Sequence, residues 1–174
     1  MLPLNELMNR DIPPYKLYCD MDGVLTDFDA SFFELAGMNP DVFEAKYGRK
    51  LFWEIIDQAG WKFWANLRWT PFGVKLWEFI KNYEPNLLTS PSKSSQESRI
   101  GKLNWVQNNL LPVPNIIFKY SKVKHHYAMP NAIHIDDRED IIRNWNDAGG
   151  IGIHHPKNGD SQIVIDKLKE LGYS

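Results

Sequence analysis

Short apolar segments that alternate with helical stretches are the feature that most constrains how this chain can fold. Five segments, each closed by polar or turn residues, are predicted to be buried strands: 16–19, 86–89, 116–118, 132–135 and 150–154. Between and after them, helices are predicted over four stretches: 73–83, 94–109, 139–148 and 161–171. This alternation is typical of a parallel sheet covered by helices on both faces. We therefore predict an α/β, Rossmann-like fold.

A long insertion interrupts the alternation after the first predicted strand. Residues 28–72 are rich in phenylalanine and tryptophan, and three parts of them have helical patterns: 30–35, 41–47 and 51–59. A structureless loop of this length is uncommon inside a compact domain. We therefore predict a small helical cap over 28–72, inserted into a core domain formed by 1–27 and 73–174. Most of its aromatic rings are expected to hold the cap together.

Composition limits the classes of partner. A chain of 174 residues, 43% of them hydrophobic, is long enough for one domain with a sizeable core. A net charge of -2 argues against a long nucleic acid or an anionic membrane as a partner. The single cysteine excludes an internal disulfide, and no apolar run is long enough for a signal peptide or a membrane span. We expect a cytoplasmic protein, and the sequence predicts nothing about its oligomeric state.

Side chains able to bind a metal ion or an anion end or follow four of the predicted strands: Asp20 and Asp22, Thr89 and Ser90, Lys122 and Lys124, and Asp136 and Asp137. The carboxyl ends of parallel strands meet at one edge of a sheet, where ligands of open α/β sheets bind. Several carboxylates converging there need a divalent cation, and hard oxygen ligands favour Mg²⁺. Hydroxyls and a lysine on the opposite side suit a phosphate. The pattern therefore predicts phosphoryl transfer.

The two aspartates after the first strand are predicted to have different roles. Asp20 points into the crevice as a carboxylate nucleophile, which forms an aspartyl-phosphate. Asp22, two residues on, reaches the leaving oxygen as general acid and then removes a proton from the hydrolytic water. Gly23 permits the tight turn that follows.

These segments resemble the motifs of the haloacid dehalogenase (HAD) superfamily over nearly the whole chain. DMDGVLTDF is similar to its first motif, LLTSP to its second, a lysine after the third strand to its third, and HIDD to its fourth. The resemblance implies that Asp20 is the nucleophile and Asp22 the acid/base. It also implies that Thr89 and Ser90 bind phosphate. The implied Mg²⁺ ligands are Asp20, the backbone carbonyl of Asp22 and one or both of Asp136 and Asp137, and a lysine after the third strand is implied to steady the charged intermediate. We favour Lys124 over Lys122 for that role, because the segment KHHYA is expected to form one helical turn that leads into the next strand.

Within that superfamily the sequences of the motifs are most similar to those of the 5'(3')-deoxyribonucleotidases. Those enzymes carry a small helical cap in the same place, with aromatic residues that sandwich the base. The resemblance therefore implies a small phosphomonoester as substrate, with a nucleoside monophosphate first. Phe28, directly after the acidic segment, is the ring predicted to lie near the substrate.

Other functions fit parts of the pattern. A phosphatase of another small phosphate ester, such as a sugar phosphate, or of a polynucleotide 5' end would use the same chemistry. A module that binds phosphate without turnover would keep the same residues. A phosphorylated signalling receiver is disfavoured, because its acceptor aspartate follows the third strand and residues 118–120 read Phe-Lys-Tyr.

Overall fold

The computed structural model describes residues 13–174. Seven strands lie within that range: β1 Lys16–Cys19, β2 Thr26–Asp27, β3 Arg68–Trp69, β4 Asn86–Thr89, β5 Ile116–Phe118, β6 Ala132–Asp136 and β7 Ile151–His154. Five of them form one sheet in the order β5-β4-β1-β6-β7, and every neighbouring pair is parallel. The predicted α/β fold with a parallel sheet is confirmed, and its strands match the predicted segments to within one residue.

Eight α-helices lie within the same described range: α1 Phe28–Ala36, α2 Pro40–Tyr47, α3 Arg49–Ala59, α4 Trp61–Ala65, α5 Gly73–Ile80, α6 Glu97–Asn109, α7 Glu139–Asp147 and α8 Gln162–Glu170. Two 3₁₀ helices cover Lys81–Tyr83 and Ser121–Tyr127. The helix predicted to start at residue 94 starts at Glu97 instead. Serine side chains before it bond to the backbone, as Ser95 Oγ does to Glu97 N at 3.0 Å, and so compete with helical hydrogen bonding.

Both faces of the sheet are buried, because successive strand side chains point in opposite directions. On one face, Leu17 and Leu87 pack in a large core with apolar side chains of α5 and α8. On the other, Tyr18 packs against Leu88 and Trp145, with 5.5 Å between the Tyr18 and Trp145 ring centroids. The predicted covering of the sheet by helices on both faces is therefore confirmed.

The insertion after β1 leaves and rejoins the core through the short antiparallel pair β2 and β3, which the sequence did not predict. Helices α1 to α4 lie between these two strands. Asp27 caps the first of them, since its Oδ1 accepts a hydrogen bond from Ala30 N at 2.9 Å. The division into a core of 1–27 with 73–174 and a cap of 28–72 stays a prediction.

The short helix α4 packs closely on the core helix α6. A Cβ added to Gly101 would lie 2.3 Å from the carbonyl oxygen of Trp61 and 2.4 Å from Trp64 Cβ. Glycine at this position therefore allows the two helices to approach. Two hydrogen bonds join the same regions, from Trp61 N to Glu97 Oε2 at 2.7 Å and from Trp105 Nε1 to the carbonyl of Leu67 at 2.8 Å.

Within the described range, none of the helices combines the length and apolar character needed to cross a membrane. Cys19 is buried inside β1.

Candidate active site

The loop after the central strand β1 carries the first two aspartates. Asp20 N still bonds to the carbonyl of Ile135 on β6 at 2.9 Å, which fixes the start of the loop. The chain then turns tightly around the carbonyl of Met21, which accepts from three successive backbone N–H groups. Gly23 lies in this turn with φ of +83°, a left-handed conformation that favours glycine. The turn places the Asp22 side chain at the same crevice as that of Asp20.

Lys124 lies in the 3₁₀ helix after β5 and is almost completely buried. Its Nζ lies 3.0 Å from Asp20 Oδ1 and 2.7 Å from Asp136 Oδ2. Burial disfavours its ammonium form, but the charges of Asp20 and Asp136 outweigh burial and raise the pKa of Lys124. Lys122 is exposed at the mouth of the crevice. Of the two lysines that the sequence left open, Lys124 is the one in contact with the predicted nucleophile.

Three carboxylates meet at the carboxyl edge of β1 and β6. Asp20, Asp136 and Asp137 each offer an oxygen, and these oxygens lie within 4.8 Å of one another. Burial raises the pKa of Asp20 to about 7, against the opposing charge of Lys124. Burial, together with the charges of Asp20 and Asp136, raises the pKa of Asp137 to about 8. A cluster of hard oxygen donors with this excess of negative charge could hold a divalent cation.

Asp136 differs from the other two carboxylates because its oxygens have several partners. Oδ2 accepts from Lys124 Nζ and lies 2.9 Å from His134 Nε2, and Oδ1 accepts from Arg138 N at 3.0 Å. Burial opposes its ionisation, but the Lys124 charge and the His134 hydrogen bond hold the pKa of Asp136 below its usual range. Helix α7 begins at Glu139 with Arg138 as its N-cap. Asp137 therefore does not cap this helix, and its carboxylate faces the crevice.

Asp22 is held by a residue that the sequence analysis missed. Its Oδ1 accepts from Thr26 Oγ1 at 2.8 Å, and its Oδ2 accepts from Lys102 Nζ at 2.7 Å. Lys102 is completely buried and also donates to Thr89 Oγ1 and to the carbonyl of Ser90, both at 2.9 Å. A signal existed in the sequence, because Lys102 falls on the buried face of α6 at helical spacing from Ser98, Trp105 and Val106.

The two hydroxyl residues after β4 take different positions. Ser90 lines the crevice, and its Oγ donates to the carbonyl of Lys119 at 3.1 Å and lies 2.9 Å from Ser121 Oγ. Thr89 is completely buried below it, with Oγ1 against Lys102. The structure thus places only Ser90 of this predicted pair among the residues that line the crevice.

The crevice is a cavity of about 860 Å³ between the sheet edge and the inserted helices. Asp20, Asp22, Asp137 and Lys124 lie at its polar end, and three rings from the insertion line its apolar part: Phe28, Trp53 and Trp64. Phe28 also packs on Phe63 and Trp64, with ring centroids 5.6 and 5.7 Å apart. Five cationic side chains complete the lining: Arg49, Lys93, Lys122, Arg138 and Lys157.

Comparisons with known proteins agree with this fold. No protein-family model matches the chain, and no curated protein sequence does. Among solved structures, the chain is similar to a hydrolase from Streptococcus pneumoniae TIGR4, with a TM-score of 0.54 and 14% identity over 89% of this chain and 98% of that one. It is also similar to a hydrolase from Pseudomonas syringae, with a TM-score of 0.52 and 13% identity over 90% and 98%. These likenesses show a shared α/β fold.

Proposed function

We propose that this chain is a Mg²⁺-dependent phosphomonoester hydrolase of the HAD type that works through an aspartyl-phosphate on Asp20. One observation carries the proposal. The Asp20 carboxylate, which follows the central strand, lies 3.0 Å from the buried ammonium of Lys124 and forms a cluster with the carboxylates of Asp136 and Asp137. If that cluster holds a divalent cation, a phosphoryl group at Asp20 would meet positive charge from the cation and from Lys124, which its transfer requires. The motif resemblance supports the proposal, and both similar solved structures are of hydrolases.

The carboxylates fit the metal that the resemblance implies. Asp20, Asp136 and Asp137 provide hard oxygen donors within 4.8 Å of one another, and the backbone carbonyl of Asp22 is the further donor. When bound, Mg²⁺ supplies positive charge that favours ionised carboxylates and offsets the charge of the phosphate. A bound cation would change the ionisation of Asp137 most, because the raised pKa of this carboxyl group keeps it protonated near neutral pH.

Asp20, Asp22 and Lys124 account for the two half-reactions, formation and hydrolysis of the aspartyl-phosphate. An Asp20 oxygen attacks phosphorus while the bond to the ester oxygen breaks, and Asp22 gives its proton to that leaving oxygen. A water molecule then attacks the phosphorus of the aspartyl-phosphate. Asp22 accepts a proton from this water, and the bond from Asp20 to phosphorus breaks to release phosphate. Lys124 holds Asp20 in position and offsets charge on the phosphoryl oxygens throughout.

Nucleoside monophosphates are the proposed substrates. Phe28, Trp53 and Trp64 line the crevice beyond the polar end, so a planar base has aromatic faces to stack against. The cavity of about 860 Å³ is large enough for a nucleotide-sized ligand.

The cations around the crevice favour a second candidate, a phosphatase of polynucleotide 5' ends. Arg49, Lys93 and Lys122 are exposed there and form no ion pair within the described part of the chain. Such side chains could bind the phosphates that follow the terminal one. The chemistry at Asp20 would be the same.

A phosphate-release screen tests both candidates. The substrates are nucleoside monophosphates, sugar phosphates and 5'-phosphorylated oligonucleotides, each with Mg²⁺ and with EDTA. We expect turnover only with the metal and none in Asp20→Asn, while Asp166→Asn on the exposed surface of α8 retains wild-type activity. Turnover by Asp20→Asn, or equal turnover in EDTA, contradicts the mechanism. Phosphate binding without turnover by the wild-type protein would favour a non-catalytic module.

A further inference from the structure

The ammonium of Lys102 joins the two loops that follow β1 and β4. Its Nζ donates to Asp22 Oδ2 on the first loop, and to Thr89 Oγ1 and the Ser90 carbonyl at the end of β4. A lysine ammonium has three N–H donors, so these three bonds use all of them. Lys102 is completely buried and does not line the crevice, so it is placed to act on a neighbouring group and not on a substrate.

Both oxygens of Asp22 have a donor. Thr26 Oγ1 bonds to Oδ1 at 2.8 Å and Lys102 Nζ bonds to Oδ2 at 2.7 Å. The terminal torsion of an aspartate is broad, so a carboxylate without partners samples many orientations. These two donors restrict the rotation, yet the Asp22 side chain stays 32% exposed and lines the crevice. The carboxylate is therefore oriented without being covered.

We propose that Lys102 is a positioning residue, which holds Asp22 in the orientation needed to protonate the leaving oxygen. The inference rests on the proposed function, because it assumes the hydrolysis of a phosphomonoester. In that step Asp22 starts as the carboxylic acid. The ester P–O bond breaks, the bond from Asp20 to phosphorus forms, and the proton of Asp22 moves to the ester oxygen, which leaves Asp22 as the carboxylate that Thr26 and Lys102 bind. Lys102 keeps all of its protons and acts only through its hydrogen bond to Asp22.

A positioning role and a purely structural role predict different dependence on the leaving group. An alkoxide leaves only with a proton, so an alkyl phosphate needs a correctly oriented Asp22. A 2,4-dinitrophenolate is a stable anion and leaves without one. The ratio kcat/KM includes only the steps up to departure of the leaving group, so it isolates this half-reaction.

The experiment compares Lys102→Met with the wild-type protein on two substrates, a nucleoside 5'-monophosphate and 2,4-dinitrophenyl phosphate. We expect kcat/KM for the nucleotide to fall roughly 100-fold, since misplaced catalytic groups cost about that much. For the dinitrophenyl ester we expect a loss of less than about fivefold, since little protonation is needed. Lys167→Met, an exposed lysine on α8, is the matched control and retains both activities. Equal losses on the two esters, or no loss on either, overturn the proposal.

A double variant keeps the test decisive if Lys102→Met does not fold. Asp22→Asn with Lys102→Met removes both charges of the buried pair, which is less disruptive than removing one. If Lys102 acts only through Asp22, this double variant has the same kcat/KM for the nucleotide as Asp22→Asn alone. A further loss of more than about fivefold overturns the proposal, since the losses in kcat/KM from two residues that act through one interaction should not add. If the wild-type protein hydrolyses no phosphomonoester, the proposed function itself fails, which is a different result.

Discussion

The backbone of Gly23 lies close to the side chain of Asp137, although the two residues are on loops after different strands. A Cβ built on Gly23 would lie 2.3 Å from Asp137 Oδ2, far inside normal contact distance. The positive φ of Gly23 independently excludes most other residues. The turn after Asp22 can therefore approach the Asp137 carboxylate this closely only because residue 23 has no Cβ.

Gly23→Ala is expected to impair both stability and activity. The left-handed backbone alone costs about 1–2 kcal/mol for a non-glycine residue, and the clash with Asp137 displaces a predicted metal ligand. We expect kcat/KM to fall at least about tenfold, with a lower affinity for Mg²⁺, because small misplacements of catalytic groups are costly. Gly149→Ala is the control, since Gly149 has φ of +91° and no atom within 4 Å of an added Cβ. It should lose stability but not activity, and equal kinetic losses in the two variants would contradict the explanation.

Lys124→Met tests which lysine serves the site. Its removal leaves Asp20 and Asp136 without their shared cation, and breaking a buried pair typically costs about 3–5 kcal/mol. We expect a large fall in the unfolding free energy measured in urea and loss of kcat by at least about 100-fold, since one positioned donor contributes that much. Lys122→Met, at the crevice mouth, should change kcat less than about threefold and act mainly on KM, as exposed charges contribute little. The reverse order would show that Lys122 is the catalytic lysine.

The metal-free protein should lose stability as pH rises. The raised pKa values of about 7 for Asp20 and about 8 for Asp137 mean that the folded chain holds these protons more tightly than the unfolded chain. Their contribution to the free energy of unfolding is complete below pH ~4, the pKa of aspartate in the unfolded chain. It is lost as the pH rises through the pKa values of the folded chain. Urea unfolding in EDTA should therefore show lower stability at high pH than at low pH, and Mg²⁺ should restore it.

Asp137→Asn is the variant that isolates this effect, because it removes the group with the higher pKa. The fall in unfolding free energy between pH 5.5 and pH 8.5, compared in EDTA, should be smaller in this variant than in the wild-type protein. Asp166→Asn should keep the wild-type slope. An unchanged slope in Asp137→Asn would show that the carboxylate is not protonated in the folded chain.

Trp53→Ala tests whether the aromatic lining recognises a base. Stacking of a base on an aromatic ring contributes about 1–3 kcal/mol, so KM for nucleoside monophosphates should rise roughly 5- to 150-fold. KM for a sugar phosphate should not change. Trp61→Ala in the neighbouring helix is the matched control, since Trp61 does not line the crevice. Equal increases in KM on nucleotides and sugar phosphates would contradict recognition of the base while leaving the chemistry intact.

Much of the candidate site was predictable because sheet topology brings strand ends together. Asp20 follows β1 and Asp136 ends β6, and these two strands are neighbours and parallel. Apolar segments and the rules of α/β sheets were therefore enough to place these carboxylates at the same edge. The cluster that the structure shows, which includes Asp137, follows directly from that placement.

The contact between Lys102 and Asp22 was not predictable in the same way. The two residues are 80 positions apart, and one of them lies inside a helix and not at a strand end. Their contact depends on the rotation of α6 about its axis and on the close approach allowed by Gly101. Thr89 illustrates the same limit, since the sequence places it after a strand but the packing of Lys102 determines that its hydroxyl is buried.

The contact between α4 and α6 has a consequence for how a ligand enters. A swing of the insertion about the β2–β3 ribbon would break the Trp61–Glu97 and Trp105–Leu67 hydrogen bonds and separate α4 from Gly101. On this side these contacts hold the insertion against the core and oppose a hinged opening. We therefore expect a substrate to reach Asp20 past Arg49, Lys93 and Lys122, which line the crevice, without a swing of the insertion.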